Sequence, residues 1–67
     1  MRDQIIKALK SHAKGHIDKH VANVEVHINN ISGVAEHSDH VETIEKELKH
    51  IAEYDDQLEM LQKYFQK

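Results

Sequence analysis

From Val41 to Phe65 the chain runs without Gly or Pro, and Val41, Ile44, Leu48, Ile51, Leu58, Leu61 and Phe65 recur at helical spacing. On a helix these side chains make one apolar stripe, and such a stripe needs a partner. With 67 residues the chain forms one domain at most. A chain this short buries only about 60% of the surface its unfolded form exposes, against an ordering cost on the order of 1.5 kcal/mol per residue. Disulfides, a metal or a partner subunit usually make up the difference. There is no Cys, which leaves a metal or a partner.

The first segment has the same period. Ile6, Leu9, Ala13, Ile17, Val21, Val24, Ile28 and Ile31 follow one another three or four residues apart. This predicts a helix over about 3–29. Val24, Val26 and Ile28 alternate with Glu25 and His27, but a single short strand there would have nothing to pair with. Gly15 inside the helix costs up to about 1 kcal/mol relative to Ala, either as a tolerated defect or as a place where another helix comes close. Asn29, Asn30, Ser32 and Gly33 are turn and cap formers, so a turn is expected over about 30–37, with Ile31 and Val34 covering the end of the core. Asp39 followed by Glu42 fits a capping box, with Ser38 the alternative N-cap, and a second helix is expected over about 39–65.

Two long helices joined by a short turn make an all-α antiparallel hairpin. A hairpin has only one internal interface, so the broad stripe of the second helix would stay partly bare, and pairing of two hairpins into a homodimeric four-helix bundle is expected. The second stripe drifts as a near-seven repeat should. The first drifts the other way through Leu9, Ala13, Ile17 and Val21, so the two are not ideal heptad partners around Gly15. Charge is split as well. Residues 1–31 hold five bases against three acids, and residues 36–67 hold four against nine, an asymmetry that sets orientation and partner more than stability.

Seven histidines are the compositional oddity. His12, His16, His20 and His27 fall on one side of the first helix at the edge of its stripe, and antiparallel pairing brings His27 near His40 or Val41, His20 near Leu48, His16 near Ala52, and His12 near Asp55 or Asp56. One reading makes the histidines half-buried boundary residues. Another is a divalent metal site for zinc or nickel, with His12, His16 and His20 supplying imidazoles and Asp55 or Asp56 an acid ligand. Glu47-x-x-His50 has the spacing of di-iron bundles, although His50 should point well away from the stripe. A fourth reading is a proton switch, with interface histidines charging together below about pH 6.5. Asp55 lies within the stripe, either reaching solvent at its edge or pairing with His12 or Lys14 across the hairpin. Tyr54, Tyr64 and Phe65 read as large core or boundary residues, or else as an exposed patch near the C-terminus.

Several classes are argued against. The net charge of -3 speaks against a nucleic-acid partner, and the alternative would use the basic side of the first helix through Lys7, Lys10, Lys14 and Lys19. No apolar run approaches the roughly 20 residues that span a bilayer, and the polar return at Lys10 is far too early for a signal peptide, so a cytoplasmic protein is expected. Ser11 and His12 are adjacent and do not face each other on a helix, and there is no Gly-rich phosphate loop. No catalytic residue and no cofactor are therefore expected.

Four stretches together resemble a family of small uncharacterised proteins carried by tailed phages of marine cyanobacteria: Ser11-His12-Ala13-Lys14-Gly15-His16-Ile17-Asp18-Lys19-His20, Asn23-Val24-Glu25-Val26, Glu36-His37-Ser38-Asp39, and Ile51-Ala52-Glu53-Tyr54-Asp55-Asp56-Gln57-Leu58-Glu59-Met60-Leu61. The resemblance implies expression in a bacterial host cytoplasm and a role in contacts with a host or phage protein. It brings no activity or ligand. The sequence thus points to a small non-enzymatic helical protein acting by protein–protein contact, with metal binding through the histidine-rich first helix as the alternative.

Overall fold

The computed structural model describes residues 1–29 and 37–66, without the side chains of residues 37 and 38. Two helices, α1 (Arg2–Asn29) and α2 (His37–Tyr64), each of 28 residues, lie side by side as an all-α hairpin. At 1.5 Å per residue each is about 42 Å long, and the chain is a rod of 51 × 15 × 11 Å. Both helices carry an acid in the first turn, Asp3 and Asp39, and a basic residue in the last, His27 and Lys63, which suits the helix dipoles. The turn formers Asn30, Ser32 and Gly33 and the apolar Ile31 and Val34 lie outside the described residues. Asp39 sits in the first turn of α2, and its carbonyl accepts the Thr43 hydroxyl at 2.8 Å.

The antiparallel arrangement is fixed by contacts at three levels. At the open end Arg2 donates to the Phe65 carbonyl (3.3 Å) and Lys10 Nζ to Gln66 Oε1 (2.6 Å). In the middle His20 meets Glu47, and toward the turn His27 meets His40. An unbroken alternation of four and three runs through the buried and half-buried positions Ile6, Lys10, Ala13, Ile17, His20, Val24 and His27 on α1, and His40, Ile44, Glu47, Ile51, Tyr54, Leu58 and Leu61 on α2, with His16, Asn23, Thr43 and Met60 half-buried beside it. This is a heptad seam on both helices.

The seam corrects the sequence reading of α1. Leu9, Val21 and Ile28, placed in the stripe by their hydropathy, are exposed, while Lys10, His20 and His27 take the positions facing α2; on α2 likewise Val41, Leu48 and Asp55 are exposed and His40, Glu47 and Tyr54 take the seam. The reason is geometric. Two helices in continuous contact must keep one seven-residue line, and on α1 that line passes through polar residues, whereas the apolar line winds away from it. The expected mismatch around Gly15 accordingly does not occur. Gly15 is exposed, and a Cβ added there would meet nothing within 4 Å, so no helix of this chain comes close to it. Closest packing falls instead at Ala13, which is 1% exposed. Tyr64 and Phe65 are also exposed, at 62% and 50%, because the seam runs out at the end of α2. Tyr54 alone of these aromatics lies in the seam.

Gly15→Ala should therefore stabilise the protein by about 0.5–1 kcal/mol, since it relieves the helix cost of Gly and fills open space. Chemical denaturation followed by circular dichroism measures this directly, and a lower midpoint in the variant would show that another surface approaches Gly15.

Candidate functional site

Residues four apart on a helix stand one above the other. This places His12, His16 and His20 as a column that runs from one flank of the α1 seam into the seam at His20, and Tyr54 and His50, also four apart, rise to meet them from α2. The rings interdigitate. Tyr54 stacks on His16, with centroids 4.4 Å apart and planes 13° from parallel, and presents an edge contact to His12 at 5.8 Å. His50 stacks on His20 at 4.6 Å and 18°. Within α1, His12 and His16 lie 4.3 Å apart, and His16 and His20 lie 6.0 Å apart. Each step of four along α1 is thus answered by a step of four back along α2, which only antiparallel helices allow.

Under this stack lies the polar heart of the seam. His20, 8% exposed, donates from Nδ1 to Glu47 Oε1 at 2.5 Å, and Asn23 Nδ2 donates to the same oxygen at 3.1 Å. Because a carboxylate only accepts, the bond assigns the proton of this ring nitrogen to Nδ1. The two hydrogen bonds, His20 first and Asn23 second, hold the Glu47 carboxyl below its ordinary value, against an opposing push from burial. A buried carboxylate without such donors would be strongly unfavourable. His16 has the opposite surroundings. Its Nδ1 is buried with no hydrogen-bond partner among the described residues. Burial, followed by the neighbouring His12, Lys19, His20 and His50, lowers its pKa below 6.5.

The candidate metal ligands are only partly brought together. His12, His16 and His20 form one column, but through ring contacts, tilted between His12 and His16 and stacked between His16 and His20, and the His20 Nδ1 is already taken by Glu47. Asp55 and Asp56 are exposed; His12 meets the Tyr54 ring where an acid was expected. Among the described residues no group of three or more His, Cys, Asp or Glu could hold a metal ion, so the metal-binding alternative gains no support. His50, expected to point away from the stripe, leans onto His20 instead. The seam role of Glu47 and the Tyr54 stack were missed by sequence reasoning. The signal for both was the four-three line, once polar residues are allowed on it.

A histidine oriented by a carboxylate is half of a catalytic arrangement, but the aliphatic hydroxyls described lie apart from it: Thr43 donates to the Asp39 carbonyl, and Ser11 lines a groove with Lys7, Lys10 and Phe65 toward the open end of the rod. Among the described residues no helix is long and apolar enough to cross a membrane.

The two pKa shifts give the stability a predictable pH profile. His16 is held toward its neutral form, so its contribution is full above 6.5 and is lost as pH falls from there through its lowered folded value. Glu47 is held toward its charged form, so its contribution is present above 4.5 and is lost as pH falls through its own lowered value. Thermal melts should show a first loss setting in below pH 6.5 and a second below pH 4.5. His16→Leu should shrink the first step and keep the second, and an unchanged first step would rule out His16 as its source. Set against protein-family models, curated proteins and solved structures, the chain gives no match.

Proposed function

We propose that this is a small non-enzymatic helical protein that works by protein–protein contact, and that its first partner is a second copy of itself, completing a four-helix bundle. The observation that carries this is a row of four large apolar residues, Val21 and Ile28 on α1 and Val41 and Leu48 on α2, each 43–52% exposed. Each follows a seam residue, His20, His27, His40 or Glu47, by one position. In an antiparallel pair that step turns the side chain to the same flank from both helices, opposite the ring stack. The four therefore form two apolar layers on the turn-side half of the rod, with Glu25 and Glu45, which take the same step from Val24 and Ile44, between them.

Charge supports a second copy as the occupant. Further along the same flank, Lys14 of α1 stands across from Asp55 of α2 in this register. When two hairpins lie side by side about a two-fold along the long axis, α1 of each faces α2 of the other. Val21 then meets Leu48 of the second copy, Ile28 meets Val41, and Lys14 meets Asp55, with Glu25 and Glu45 the like-charged layer between the apolar ones. The broad face, 51 by 15 Å, is close to the roughly 800 Å² per partner that specific interfaces bury. The acidic outer surface of α2 and the exposed Tyr64 and Phe65 remain free for a host or phage partner. The resemblance of the sequence to phage proteins supports that setting, with the host cytoplasm as the compartment.

Light scattering at pH 7.5 should give twice the chain mass of 7.8 kDa. Leu48→Lys buries a charge on both sides of the two-fold and should weaken the dimer by about 100-fold, whereas Tyr64→Ser should leave the mass unchanged. A wild-type mass of one chain at tens of micromolar would overturn the dimer.

A further inference from the structure

His27 and His40 lie outside the ring stack and are not used by it. They come from opposite helices and occupy the last seam layer on the turn side, both half-buried. Their Nδ1 atoms are 3.1 Å apart, and their rings meet at 5.3 Å and 63°. Two nitrogens this close either share a proton, one donating and the other accepting, or share a cation. We propose that the pair is a two-imidazole clamp for a divalent transition ion such as Zn²⁺ or Ni²⁺, bound through both Nδ1 atoms with water completing the coordination.

The separation fits. Two imidazole nitrogens about 2.0–2.1 Å from one ion, subtending about 90–110° at it, stand roughly 2.8–3.4 Å apart. Both Nδ1 atoms already face each other across the seam, and the packed helices hold their backbones in place, so the rings need only turn about their side-chain bonds to aim at one ion. The donor set is nitrogen only, which suits Zn²⁺, Ni²⁺ or Cu²⁺ and not the oxygen-seeking Mg²⁺ or Ca²⁺. No set of three or more protein ligands converges among the described residues, so the clamp is open, with exchangeable positions. Protons balance without an outside acid or base. In the metal-free pair one ring carries its proton on Nδ1, and on binding it takes the Nε2–H tautomer through solvent, leaving both Nδ1 atoms free to coordinate. The His12, His16 and His20 column differs because among the described residues no two of its ring nitrogens are paired with each other and the His20 Nδ1 is committed to Glu47.

The clamp joins α1 to α2, so an ion held there binds the folded hairpin and not the unfolded chain, and binding appears as thermal stabilisation. At fixed protein concentration and pH 7.5, ZnCl2 or NiCl2 at a hundredfold excess over the dissociation constant should raise the melting midpoint by on the order of 10 °C. His27→Gln and His40→Gln should each abolish the rise, His12→Gln should keep it, and MgCl2 should give none. No rise in the wild type, or an equal rise in the His27 and His40 variants, would overturn the clamp. Should either variant fail to fold, long-range ¹H–¹⁵N spectra of the wild type decide. Zn²⁺ must move the Nδ1 resonances of His27 and His40, and movement confined to other histidines would overturn the proposal.

Discussion

The bond between His20 and Glu47 holds the hairpin to one register. His20 is buried and Glu47 half-buried in the seam, and each satisfies a polar atom that would otherwise be stranded there. Sliding α2 by one heptad in either direction would keep the seven-residue line, but it would set His20 against Tyr54 or His40 and leave it without a carboxylate. Apolar seam residues tolerate such slips far better, because one aliphatic contact resembles the next. The ring stack depends on the same register, since His16 finds Tyr54 and His20 finds His50 only when His20 finds Glu47.

That specificity is obtained with core positions. Lys10, His20, His27, His40 and Glu47 all occupy places where a hydrocarbon would contribute more burial, and Ala13 is the one buried apolar residue among those described. Lys10 keeps its stem in the seam and carries its ammonium out to Gln66. The apolar residues displaced from the α1 seam do not vanish; they emerge on the flanks, Leu9 beside the ring stack and Val21 and Ile28 on the opposite side. A polar seam and exposed apolar residues on the flank, Val41 and Leu48 of α2 among them, are two results of one phase relation between a seven-residue contact line and the hydropathy of both helices.

This phase relation also decides how much could be read from the sequence. The two helices were legible from period alone, and so was the closeness of His27 to His40, because the turn position limits antiparallel pairing to within about one helical turn. The seam of α1 was not legible by hydropathy. Selecting Leu9, Val21 and Ile28 for the core produced a line that drifts against α2, and the conflict was assigned to Gly15 when it belonged to the choice of residues. The line through Ile6, Lys10, Ala13, Ile17, His20, Val24 and His27 is equally visible, but it requires accepting a lysine and two histidines as interior residues. Their partners, Glu47, His40 and Gln66, lie on the other helix or past its end. Asp55 and Asp56 illustrate the same limit, since spacing could bring them near His12 but could not show that Tyr54 fills that place.

The contacts of Arg2 with Phe65 and of Lys10 with Gln66 bring residues from the beginning and the end of the described rod to one pole. Tension applied through those residues would pull the helices apart like the teeth of a zip, with the seam yielding one layer at a time from Ile6 and Leu61 inward. Opening in this mode meets the Lys10 layer and the Tyr54 ring contacts first and reaches the His20–Glu47 bond only halfway along. The bond that fixes the register is thus out of reach until half of the seam has parted.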